Sequence, residues 1–140
     1  MNERFKEAAI KSARSLYKAV PILLGILILV SIANVAIPNN LYSRVFSGNF
    51  ILDPIVGASV GSILAGNPVT SYVIGGEFLK QGVSMVSVIA FLVAWVTVGL
   101  VQLPAESLML GKRFAITRNI LSFILSIIVA VTTVILLSMV

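Results

Sequence analysis

Residues 50–81 read FILDPIVGASVGSILAGNPVTSYVIGGEFLKQ, and this stretch decides the fold. It holds two apolar pieces, 51–66 and 68–79, broken at Asn67-Pro68. Each falls short of the roughly twenty residues that a helix needs to cross the hydrocarbon core of a bilayer. Gly57, Gly61 and Ala65 recur every four residues along one helical track, and Ala58, Ser62 and Gly66 along the adjacent one. Small side chains at this spacing let helix backbones approach closely, which assigns helix packing to Gly57, Gly61, Ala65 and Ser62. Pro68 suits the first turn of the second piece and Asn67 its N-cap. Gly75-Gly76 loosens the end of that piece. The pattern predicts a broken helix pair that enters a membrane and returns on the same side, a re-entrant hairpin over 51–79. The competing threading is a full crossing by 51–66.

Long uncharged runs lie on either side. Residues 19–37 (AVPILLGILILVSIANVAI), 82–103 (GVSMVSVIAFLVAWVTVGLVQL) and 119–140 (NILSFILSIIVAVTTVILLSMV) are each long enough to span, at about 1.5 Å per residue. Pro21 falls near the start of the first run, where its missing donor does little harm, and Pro38-Asn39-Asn40 ends it. Residues 1–18 read as an amphipathic helix. Phe5, Ala9, Ala13, Leu16 and Val20 recur at helical spacing, Arg4, Lys11 and Lys18 repeat every seven residues on another side, and Glu7 and Lys11 form a favourable pair one turn apart. Such a helix lies at the headgroups or leads into the first span.

Of the 140 residues 59% are hydrophobic and 11% charged, where a soluble domain carries about a quarter charged. A soluble fold of this size could not hide so much apolar surface, so the bilayer is the expected solvent. The fold class predicted is an all-α integral membrane protein, a single domain with an N-terminal amphipathic helix, three full transmembrane helices and the hairpin.

Basic residues collect on the cytoplasmic side of membrane proteins. Five lie in the N-terminal segment (Arg4, Lys6, Lys11, Arg14, Lys18), three in 104–118 (Lys112, Arg113, Arg118), and Arg44 and Lys80 remain. Three spans and a hairpin put eight of the ten on one side, whereas four spans put six there. The charges therefore favour the hairpin, in a multi-pass protein of the cell membrane with a cytoplasmic N-terminus.

The chain has no Cys and no His, which excludes disulfides, thiolate sites, Ser–His mechanisms and the usual zinc sets. Together with only five acids, this predicts no enzyme, no metal and no cofactor. The basic residues flank apolar runs and do not form a stripe with aromatics, so nucleic acid is not an expected partner. The lipid bilayer is.

A hairpin tip exposes backbone donors and acceptors at membrane depth, where only protein or a water-filled cavity can satisfy them. Broken helices near the midplane are where many secondary transporters bind substrate. The candidate substrate path is Gly66, Asn67, Pro68, Thr70 and Ser71, joined by Asn34 deep in the first span. Each has a structural alternative: Asn67 as a cap, the hydroxyls as donors to their own helix, Asn34 as interhelical glue. Asp53 and Glu106 read as helix-start acids, Glu77 as the partner of Lys80, Trp95 as helix packing and Gln102 as interfacial.

Gly57-Ala58-Ser59-Val60-Gly61, Gly66-Asn67-Pro68-Val69-Thr70-Ser71-Tyr72, Gly82-Val83-Ser84 and Ala90-Phe91-Leu92 together resemble the predicted-permease family that includes the organoarsenical efflux permeases. The likeness covers roughly 55–100 and lies in two Gly-rich helices, a short break and a following span with a Phe-Leu pair. Many members carry cysteines at the break, and none exists here, so thiolate chemistry with a soft metalloid is not implied. Members are longer and resemble two related halves, which in other transporters form inverted repeats. This chain has one copy, so the resemblance implies a half-size permease that moves a small-molecule solute as a homodimer, parallel or antiparallel, or beside a homologous half. The alternative is a non-transporting scaffold or assembly subunit.

Overall fold

A computed structural model of the chain describes residues 2–36, 45–64 and 68–139. All regular structure among them is helical, in two compact units, 1–37 and 38–140. The first unit is α1 (Asn2–Ala36), one continuous helix of 35 residues. Of the two arrangements open to the amphipathic 1–18, the helix takes the lead-in: it passes without interruption into the apolar run that follows, with Pro21 in its interior. At about 1.5 Å per residue it is about 52 Å long.

The second unit contains α2 (Leu52–Ile63), α3 (Pro68–Lys80), α4 (Met85–Thr97), α5 (Leu103–Leu110) and α6 (Lys112–Ser138). Its centre is α4, which packs against α2, α3 and α6. The closest contact is with α2. A Cβ added at Gly57 would fall on the carbonyl oxygen of Ser87, and one at Gly61 on that of Phe91. Both pairings advance in the same direction, so α2 and α4 run parallel. Only residues without side chains let the two backbones meet this closely. α2 buries Gly57, Ala58, Gly61 and Ser62 on this face. Ala65, expected to continue the track, lies outside the described residues.

α3 returns antiparallel to both, and its end is set by backbone chemistry. Gly82, at φ 84°, donates to the Leu79 carbonyl, and buried Val83 donates to that of Phe78. This pair of bonds around a left-handed residue is the Schellman ending, which glycine adopts without strain. The two halves of the expected hairpin thus form as short helices of 12 and 13 residues, but each packs on α4 and neither makes an extended contact with the other.

The run 82–103 was expected as one full span. It contains only the 13-residue α4, which extends about 20 Å. Residues 82–84 belong to the turn, and after Thr97 the chain is extended at Val98 (φ −103°, ψ 111°) before α5 begins. The last predicted span begins earlier than its uncharged run, at Lys112, and forms the 27-residue α6 antiparallel to α4. Among the described residues α6 is the one helix long and apolar enough to cross a membrane.

The interior is built of small groups. Ala58, Val86, Ala90, Ala94, Val98 and Ala130 form its centre, flanked by Phe123 and Ile127. An aromatic ladder, Phe46–Phe78–Phe91–Trp95, ties the segment before α2 to α3 and α4, with ring centroids 6.2, 5.3 and 5.4 Å apart. Asp53, 1% exposed, accepts from the Ser47 and Gly48 N–H groups (3.0 and 2.9 Å) and from the Ser47 hydroxyl. It is therefore more than a helix-start acid: it clips the incoming segment onto α2.

The glycine contact predicts a sharp asymmetry. Gly61→Leu forces α2 off α4 and should cost about 3 kcal/mol. Gly76→Ala meets nothing within 4 Å and should stabilise α3 by up to about 1 kcal/mol. Thermal melts in detergent will separate the two, and equal shifts would contradict the close approach.

Candidate functional site

Two helix breaks meet at one end of α4. α2 stops at Leu64, whose extended backbone (ψ 134°) leads toward Pro68, the first residue of α3. α4 stops at Thr97. The N–H of Leu100, in the second break, donates to the Ser62 carbonyl in the last turn of α2 at 3.4 Å. The second break is thus bonded to the last turn of α2, and two helix C-termini converge with the N-terminus of α3.

Between them lies a cleft of about 110 Å³ walled by Ser62, Leu64, Pro68, Trp95 and residues 98–102. A wider apolar groove of about 300 Å³ adjoins it, sharing Ser62, Val98 and Leu100 and extending to Phe123 and Ile124 of α6.

The second break is held by side chains from α6. The Asn119 carbonyl oxygen accepts from the Gly99 N–H at 2.9 Å. The Asn119 amide donates to the Ala115 carbonyl (2.9 Å) and to Glu106 (3.2 Å). Glu106 also pairs with Arg118, whose other nitrogen reaches the Thr97 carbonyl at 3.4 Å. A donor and an acceptor freed where α4 unwinds are therefore both satisfied from α6. An unpaired backbone group in this half-buried position would cost about 1–3 kcal/mol, so the network makes the break tolerable. Glu106 does lie in the first turn of α5, as expected of a helix-start acid, and serves the break as well.

Of the residues predicted for the substrate path, Pro68 lines the cleft, as does Ser62 from the packing track. Ser71 is buried and donates to the Pro68 carbonyl at 2.7 Å, its own helix turn. Thr70 is half-buried on the same turn, and neither hydroxyl lines the cleft. Gly66 and Asn67 lie outside the described residues. Asn34 belongs to α1, where its side chain also lies outside them. Glu77 pairs with Lys80 at 3.3 Å, the local partner its spacing predicted.

The cleft adds Trp95, Gly99 and Gln102, none of which the sequence singled out for the path. Trp95 is buried, stacked edge-on against Phe91, and Gln102 is exposed at the second break. The signal was present in Gly99, within the break, and Pro104, in the first turn of α5, but unbroken hydropathy obscured it. Among the described residues no group of His, Cys, Asp and Glu could hold a metal ion. Comparison with family models, with curated proteins and with solved structures returns no match.

Asn119→Ala removes the acceptor for Gly99 and the donor to Glu106 together. It should destabilise the fold by about 2 kcal/mol. Hydrogen exchange at the Gly99 amide should accelerate by more than at Ala90, in the middle of α4. Uniform exchange along α4 would show that Asn119 does not hold the break.

Proposed function

We propose that the chain is one half of a small-solute permease of the cell membrane, completed by a second copy or a homologous half. The solute path runs at the cleft between the broken pair α2/α3 and the break after α4. The observation that carries this reading is the bond from the break after α4 to the last turn of α2, Leu100 on Ser62, beside a cleft walled by the ends of α2 and α4 and the start of α3. Within a bilayer, irregular backbone persists only where protein or a water-filled cavity lines it, and such places are where secondary transporters hold their cargo.

Residence in the bilayer is supported by the packing pattern. The second unit buries Asp53, Ser62, Ser71, Ser87, Asn119 and Ser126, while Ile120, Ile124, Leu125 and Ile128 of α6 are exposed. In water this arrangement leaves a large apolar surface wet, whereas against lipid it costs little. The distribution of basic residues favours a cytoplasmic N-terminus. The resemblance of residues 57–92 to the permease family points the same way. The paired halves would bring two such clefts together near the midplane.

Purified protein in proteoliposomes should accelerate re-swelling after osmotic shock with some member of a panel of polyols, sugars, amino acids and amides. Gly66→Leu and Asn67→Ala should cut that flux about tenfold or more. Unchanged flux in both variants would remove the path from the hairpin. Flux no faster than in empty vesicles, with a stable heteromeric partner in mild detergent, would favour the scaffold alternative. The cysteine-free chain also permits a clean topology test. A single cysteine at Gln81 should react with an impermeant maleimide from outside the cell, and reaction only from the cytoplasm would return 51–66 to a full crossing.

A further inference from the structure

We propose that the corner between α5 and α6 is a docking surface for anionic phospholipid, with Leu108, Met109, Leu110 and Phe114 at the acyl boundary and Lys112 and Arg113 on the headgroup phosphates. The inference rests on residence in the bilayer, argued above, and is independent of any solute path.

The fold sets the shape of this corner. α5 ends at Leu110, Gly111 turns the chain at φ 90°, and α6 begins at Lys112. The Glu106–Arg118 pair and the bond from Asn119 to Glu106 tie α5 back along the first turns of α6. Residues 108–114 are therefore the tip of a braced hairpin. Its large apolar side chains are open: Leu108 is 89% exposed and Met109 84%, with Leu110 and Phe114 more than half exposed.

Neither half of this surface is provided for within the fold. Four large apolar groups on one tip are costly in water. The two exposed cations beside them have no counter-charge. Among the described residues neither Lys112 nor Arg113 forms an ion pair, and Glu106, the acid nearest in sequence, is taken by Arg118. Their own helix does not favour them either: cations in a first turn oppose the macrodipole, and no acid stands there to offset them.

A protein covering the tip would have to bury both charges together with the apolar groups, which demands matching acids. A lipid interface separates the two requirements. Apolar side chains sink a short way into the acyl boundary, while long basic side chains snorkel to the phosphates.

The length of α6 puts the tip at that depth. Its 27 residues extend about 40 Å, the thickness of a bilayer with its headgroups. With the uncharged 119–138 across the hydrocarbon, Lys112 lies about 10 Å beyond it, at headgroup level. Charge then selects the lipid. Each unpaired basic residue favours an anionic surface about fivefold, so a net-anionic headgroup is preferred to a zwitterionic one.

A local label reads this preference, because the chain has no cysteine of its own. The full chain with Met109→Cys carries a bimane fluorophore in phosphatidylcholine vesicles. A small, equal share of the lipid is brominated in its acyl chains, either as phosphatidylglycerol or as phosphatidylcholine. Brominated phosphatidylglycerol should quench about fivefold or more better than brominated phosphatidylcholine. The ratio should fall toward one in high salt and in Lys112→Gln/Arg113→Gln, and persist in Lys112→Arg/Arg113→Lys. Equal quenching by the two lipids, or a ratio that survives loss of both charges, overturns the assignment. So does quenching by aqueous iodide alone, which puts the tip in water, or by none of the three, which puts it against protein. The same label at Ile128→Cys, an exposed position of α6, is the control for the membrane itself. Lipid quenching there without selectivity at the tip refutes the lipid surface alone, whereas no lipid quenching there refutes residence in the bilayer.

Discussion

The approach of α2 to α4 through Gly57 and Gly61 is the constraint on which the second unit depends. A side chain at either position would fall on a carbonyl of the facing helix. With glycine there, the two helices run parallel and in register, Gly57 over Ser87 and Gly61 over Phe91. Their C-terminal ends consequently arrive together. The break after Leu64 and the break after Thr97 become neighbours because the helices that precede them are bound along their length. Dispersion between close backbones and small side chains supplies the contact, since few large apolar groups face inward.

Hydrogen bonding makes the breaks beyond this contact tolerable. Ending α4 in mid-run frees backbone groups that a longer helix would have paired. Ser62 takes the N–H of Leu100, Asn119 takes that of Gly99, and Arg118 covers the carbonyl of Thr97. At the opposite end of α2, Asp53 gathers three donors from residues 47 and 48. The polar interior is thus organised at the two ends of a parallel helix pair, with small apolar residues between.

Much of this was legible in the sequence. Small residues four apart announced the packing face of α2, because that spacing is a property of the helix itself. The start of α3 at Pro68 was legible for the same reason, as local backbone chemistry, whereas Gly82, which ends α3, reads in the sequence as the first residue of the span 82–103. The break after Thr97 was not legible. Its run is apolar throughout, and what stops the helix is an asparagine twenty residues away that takes one N–H, together with a carbonyl on α2 that takes the next. Hydropathy registers how well a segment tolerates lipid and says nothing of who binds its backbone. The continuity of α1 stayed one of two open readings for a related reason. A change from charged to apolar composition marks a change of surroundings, and a helix can pass through such a change without ending. The cleft residues Trp95, Gly99 and Gln102 were hidden with the break that assembles them.

The hydroxyls of this interior have a consequence for how its sequence can drift. Ser59, Ser62, Ser71, Thr97 and Ser126 each donate to a carbonyl three or four residues back in the same helix. None holds another element in place through that bond. Replacing such a serine by alanine removes a donor whose acceptor already serves its own helix, and it orphans no distant group. That exchange for alanine is close to neutral for folding, whereas Gly57, Gly61, Asp53 and Asn119 admit almost none. The chain thus carries a fixed frame and, threaded through it, a set of positions open to exchange among small residues, several of them within a turn of the cleft. A lineage could vary the small side chains around the cleft one position at a time, without first giving up the architecture that brings the ends of α2 and α4 together.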